Sequence, residues 1–130
     1  MNNEDVRIYC ISKPGVTESF PFDDVTLVFK VMNKMFALMS IDSPQLSLNL
    51  KCDPDLAIEL REQYSGVRPG YHMNKQLWNT VVADGSFSVK QLLQWIDNSY
   101  NLIVASLPKK LKEELKNINP SNYLGIQMVE

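Results

Sequence analysis

The stretch Leu46-Ser47-Leu48-Asn49-Leu50-Lys51-Cys52-Asp53-Pro54-Asp55 carries the reading on which the fold turns. Leu46, Leu48 and Leu50 alternate with Ser47, Asn49 and Lys51, the period of a strand with one apolar and one wet side. Immediately afterwards Asp53 can cap a helix, and Pro54 falls at its first position, where a missing N–H is no loss. A half-wet strand running straight into a helix predicts an antiparallel sheet covered on one side only. Ser47, Asn49 and Lys51 then belong to the uncovered side.

Upstream, Leu27, Phe29 and Val31 point one way and Val28, Lys30 and Met32 the other. Asn33-Lys34 turns this run into Met35-Phe36-Ala37-Leu38-Met39, which makes a hairpin. Residues 16–24 show no period and contain Pro21, which bars a central strand. The expectation there is an ordered connection with Phe20 and Phe22 plugged into the core. Before it, Asn3 can cap a helix with Val6, Tyr9, Cys10 and Lys13 along one face, stopped by Pro14-Gly15.

Downstream, Leu56, Ala57, Leu60 and Tyr64 continue the helix that Asp53 opens, with Asp55, Glu59 and Glu62 as its solvated side. Gly66 suits the left-handed geometry that ends a helix. Two strands are expected around residues 69–73 and 77–83, the second closed by Ala83-Asp84-Gly85-Ser86. Ser88 and Gln91 form a capping box for the longest helix, which carries Leu92, Leu93, Ile96, Tyr100, Ile103 and Leu107. Pro108 interrupts it, and a short basic helix follows, closed by Asn119-Pro120-Ser121. The order is α-β-β-β-α-β-β-α-α. It predicts a two-layer α+β domain over 1–118, with a mostly antiparallel five-stranded sheet and helices on one face. Residues 119–130 are left as a C-terminal tail tied down by Tyr123 and Leu124.

A chain of 130 residues can bury about two-thirds of its unfolded surface as one domain. With 45% hydrophobic and 22% charged residues it has the composition of a soluble globular protein. No apolar run approaches the roughly 20 residues of a membrane span, and Glu4 and Asp5 stand where a secretory leader carries cations. The expected setting is cytoplasmic, with no membrane partner, as a monomer or weak homodimer. Cys10 and Cys52 lack a C-x-x-C spacing and fit reduced, buried thiols. One histidine and two separated cysteines do not make a four-ligand metal site, and no cofactor motif is present.

The net charge of -2 excludes a global pull toward polyanions, so any nucleic-acid contact must come from a patch. The densest set of recognition groups lies in residues 66–79, where Arg68, Lys75, Tyr71, His72, Asn74, Trp78 and Asn79 crowd around the bend at Pro69-Gly70. No acidic residue falls between Glu62 and Asp84. Lys30, Lys51, Arg68 and Lys75 are candidate phosphate contacts, and Asn49, Asn74 and Asn79 neutral donors. Tyr71 and Trp78 are candidate stacking surfaces. Double-stranded DNA is the leading partner on this reading. The alternatives are a protein-interaction or chaperone-like module, using the open sheet face, and a small-molecule site centred on His72. His72 has no orienting carboxylate nearby in sequence, and Cys52 is the nearest conceivable nucleophile. No catalytic residue is assigned, since H-E-x-x-H, G-x-S-x-G and phosphate-loop patterns are missing.

At Pro14-Gly15-Val16-Thr17-Glu18, Phe20-Pro21-Phe22, Val28-Phe29-Lys30-Val31, Phe36-Ala37-Leu38, 48–54, 70–74 and Trp78-Asn79-Thr80-Val81, the chain resembles the MmcQ/YjbR family of small bacterial proteins. The resemblance spans about residues 4–116. It implies a two-layer fold similar to secretion chaperones and DNA binding through a "double wing" motif, and it brings no substrate or reaction. The family commonly carries Lys-His where this chain has Gln76-Leu77, and often Gly at Asn33, so two potential cations are missing here.

Overall fold

Alternation along Thr26–Val31, Lys34–Ser40 and Ser47–Lys51 produces three adjoining strands, β2, β3 and β4, in the computed structural model, which describes residues 1–118. They are joined by β1 (Val16–Ser19), β5 (Val67–Pro69) and β6 (Trp78–Val82) in one antiparallel sheet of order β1-β2-β3-β4-β6-β5. The helices are α1 (Asn3–Ile11), α2 (Pro54–Gln63), α3 (Val89–Ala105) and α4 (Lys109–Lys116). The expected α+β architecture is therefore present, with six strands in place of five.

The sixth strand is β1, in a segment that reads in sequence as a connection. Its residues pair with β2 from Val16↔Val31 to Ser19↔Val28. The strand period is hidden because Glu18 occupies a helix-side position. There the Arg7 guanidinium of α1 neutralises it through contacts of 2.6 and 2.8 Å. Phe20 and Phe22 are not core plugs. They lie in the connection after β1 and are 46% and 65% exposed.

Other boundaries shift by one or two residues. Asn2 caps α1, in a capping box with Asp5, rather than Asn3. The two-residue turn of the β2–β3 hairpin is Met32-Asn33, both at positive φ, not Asn33-Lys34. β5 ends at Pro69, short of 69–73: the Gly70 amide still donates to the Trp78 carbonyl at 2.9 Å, but the Tyr71 amide leaves the ladder for the Thr80 hydroxyl, and β6 is slightly shorter than 77–83. Gly66 does not take a left-handed conformation. It is needed because a Cβ there would stand 2.3 Å from the Val82 carbonyl oxygen. α4 ends at Lys116, and Asn119, Pro120, Ser121, Tyr123 and Leu124 lie outside the described residues.

The main core joins the helices to one side of the sheet. Val6 and Cys10 of α1, Leu92, Ile96 and Ile103 of α3, and Leu115 of α4 pack on Leu27, Phe29, Val31, Leu48, Leu50, Val67 and Val81. A second, smaller cluster contains no helical residue. Val28, Leu38 and Trp78 are covered there by Met35, Met73 and Leu77. Among the described residues helices therefore cover one face only, and the other is roofed in part by the turn between β5 and β6.

A bulge reconciles these two faces. Phe29 pairs with Ala37 and Lys30 with Met35, so Phe36 has no partner in β2, and Phe36 and Ala37 both enter the main core. β3 and β4 stop pairing at Ala37↔Leu50. The hydroxyl of the fully buried Ser99 stands in for the next rung, donating to the Phe36 carbonyl at 2.5 Å and accepting from the Lys51 amide at 2.8 Å. Removing it leaves two buried backbone groups unsatisfied. Ser99→Ala is expected to destabilise the fold by about 1–3 kcal/mol in urea unfolding. An unchanged midpoint would show that water or a strand shift replaces the hydroxyl.

Candidate functional site

Directly opposed residues of antiparallel strands share a face, so the register itself assembles the open side. One row across it reads Ser19, Val28, Leu38, Asn49, Thr80, Arg68. Beside it run Thr17, Lys30 and Met35, with Lys51 opposite Trp78. On the other flank lie Thr26 with Ser40 and Ser47 with Val82. Lys30, Lys51 and Arg68 thus share this face, and among the described residues no strand residue on it is acidic.

Over this floor opens a cleft of about 600 Å³. Leu38, Asn49 and Thr80 form its base, and Thr26, Ser40 and Ser47 one side. Phe22 and Asp23 enter from the β1–β2 connection, while Met35, Tyr71, His72 and Met73 close the opposite end. The amide of Tyr71 donates to the Thr80 hydroxyl (2.8 Å), which donates to Asn49 Oδ1 (2.5 Å), and Asn49 Nδ2 donates back to the Tyr71 carbonyl (3.3 Å). This ring of bonds ties the turn to the sheet. His72 sits at φ 58°, left-handed backbone that a side chain seldom adopts, and its ring lies 4.0 Å from that of Tyr71.

Charge in the cleft is sparse. Lys30, Lys51, Arg68 and Lys75 are not among the lining residues, which include the single carboxylate Asp23. Hydrogen bonds from the Val25 amide first, then from the Thr26 amide, hold that carboxyl below its ordinary range. Lys75 Nζ donates to the Gly70 carbonyl at 3.0 Å, and Arg68 Nε to the Ser65 carbonyl at 3.4 Å. Asn74 is exposed, but its Oδ1 accepts from the Gln76 and Leu77 amides, so it builds the turn.

Two residues anticipated at the surface are elsewhere. Trp78 is 8% exposed and packs on Val28 and Leu38, so it is floor and not a free stacking surface. Asn79 is 2% exposed because it points to the helix side, where it donates to the Ala57 carbonyl and accepts from Arg61. Cys52 is buried, and loss of water around its thiol raises the pKa to about 11, far from a nucleophile's range at neutral pH. Burial likewise pushes the Cys10 thiol up to about 12. Among the described residues, no group of three His, Cys, Asp or Glu side chains could hold a metal ion, and no helix is long and apolar enough to cross a membrane.

Arg61, which sequence patterning hides among the acidic residues of α2, anchors the whole turn. Its guanidinium donates to Asn79 Oδ1 at 2.7 Å, to the Lys75 carbonyl, and to the Trp78 carbonyl at 3.4 Å. Asp23, Thr26, Ser40 and Thr80 line the cleft as well, beyond the residues that sequence patterning points to. Thr26 and Thr80 each carry a signal in sequence, since they alternate in step with Val28 and with Trp78.

These features define a two-layer α+β domain with a helix-backed antiparallel sheet and a cleft on the bare face. The YjbR family profile matches residues 11–102. The chain is 37% identical over 115 residues to YjbR of Escherichia coli K12, covering 88% of this chain and 98% of that one. It is 32% identical over 114 residues to YbdF of Escherichia coli O157:H7, covering 88% and 93%. Among solved structures, the Deinococcus radiodurans protein DR2400 superposes with a TM-score of 0.83 at 40% identity over 88% of each chain. A Pseudomonas syringae protein superposes at 0.68 and 28% identity, over 78% of this chain and 98% of that one. The chain belongs to the YjbR family.

Replacing Arg61 by Lys keeps the charge and removes the fork. The expected result is a loss of about 1–3 kcal/mol. Hydrogen exchange at the Cys52 and Trp78 amides, which bond to the Leu77 and Asn74 carbonyls, should also quicken. Unchanged exchange at both would show that the turn holds without Arg61.

Proposed function

We propose that the domain is a binding module that engages nucleic acid, duplex DNA included, through its open sheet face. The observation that carries this reading is the sorting of charge. Lys30, Lys51 and Arg68 stand on strands of that face with no acidic strand residue among them, although the whole chain has a net charge of -2. From Lys30 on β2 to Arg68 on β5 is four strand spacings, about 19 Å, a span that suits phosphates along a backbone rather than one compact anion. Lys75 is exposed beside them, with its ammonium held at the Gly70 carbonyl.

A second reading, a small-molecule site centred on His72, draws on the cleft. Its lining is mixed apolar and polar, contains no lysine or arginine, and has the volume of an ordinary ligand pocket. Nothing comparable favours the chaperone-like alternative.

Fluorescence anisotropy with labelled oligonucleotides at about 50 and 200 mM salt tests the first reading. Three phosphate contacts predict a log–log slope of about -2.7 and a loss of roughly 40-fold in affinity over that range. A Lys30→Ala/Lys51→Ala variant is expected to bind more weakly and with a flatter slope. Absent or salt-insensitive binding rejects the reading. A melting-temperature rise with an uncharged ligand, lost in His72→Ala, would then transfer the weight to the second.

A further inference from the structure

We propose that the cleft receives one unpaired nucleobase, so that the open face prefers single-stranded nucleic acid over duplex; this rests on the nucleic-acid reading above. Charge is divided between the cleft and its surroundings. Cations that can hold phosphate, Lys30, Lys51 and Arg68, share the face but stay out of the cleft lining, whose one carboxylate is that of Asp23. Two backbone amides and the Thr26 hydroxyl already bond that carboxylate, which keeps it ionised. A phosphate is repelled from such a cavity and attracted to its surroundings. A neutral ring with polar edges, carried on an anionic backbone, matches both regions at once.

The walls suit a flat ring. Phe22 and Tyr71, 65% and 68% exposed, reach the cleft from the β1–β2 and β5–β6 connections. Exposed aromatics facing a shared cavity are stacking surfaces that any base can use. The base of the cleft supplies hydrogen-bonding groups. Asn49 uses one amide proton on the Tyr71 carbonyl and one oxygen lone pair on the Thr80 hydroxyl, which leaves it one donor and one acceptor. That pair complements the edge of a base, and Ser40 and Ser47 add hydroxyls beside it. The 600 Å³ volume is that of a pocket for a drug-sized ligand and leaves room for a base together with its sugar. A base stacked inside a duplex cannot enter without unpairing, so the duplex loses this contribution.

The test compares three probes of equal length and label: oligothymidine, its duplex with oligodeoxyadenosine, and an abasic strand with the same phosphates. Oligothymidine is expected to bind about tenfold more tightly than either of the others. Phe22→Ala/Tyr71→Ala should bring oligothymidine down to the affinity of the abasic strand while leaving the melting temperature unchanged, since both rings are exposed. Salt-sensitive binding that is equal for all three probes overturns the base pocket and leaves the nucleic-acid reading standing. A single-strand preference that survives the double substitution overturns the assignment to this cleft. No binding by any probe overturns both.

Discussion

The structure depends on helices covering one side of the sheet, and on the contact that seats the longest helix there. Ser99 lies within the apolar stripe of α3, between Ile96 and Ile103, and completes a rung that the β3 bulge has opened between β3 and β4. The bulge turns Phe36 and Ala37 together into the main core and leaves Leu38 on the other face. A small satellite cluster then suffices on that side: Val28, Leu38 and Trp78 lie beneath Met35, Met73 and Leu77. The cleft is the part of the open face that this partial roof does not fill.

The roof is held from the helix side. Arg61 crosses from α2 to the carbonyls of the β5–β6 turn, while the Asn49–Thr80–Tyr71 bonds hold the same turn from the sheet. A turn fixed at both ends can keep His72 in left-handed backbone, which an unsupported loop would relax. Such preorganisation lowers the ordering entropy that a ligand must overcome.

Local patterns made much of this legible. The alternation of β4, the Asp53-Pro54 helix start and the Ser88–Gln91 box each depend on residues a few positions apart, and each is present. Asn49, Tyr71 and His72 were anticipated and do line one cleft. What escaped was non-local. β1 could not be read because Glu18 is matched by Arg7, eleven residues earlier and on another element. Arg61 reads as one more charge on a wet helix until the turn it grips is folded beside it. Phe20 and Phe22 show the limit of hydrophobicity as a guide, since their surroundings leave them in solvent. Asn79 shows the converse, an amide made buriable by Arg61 and the Ala57 carbonyl.

On this reading the bare sheet face is the working surface and the helical side is its support. Amide chemical-shift mapping during titration with a single-stranded oligonucleotide addresses it most directly. The largest changes are expected at Leu38, Asn49, Tyr71, His72, Met73 and Thr80, with Leu92, Ile96 and Ile103 unmoved. Changes confined to α1 and α3, with those cleft residues silent, would contradict it.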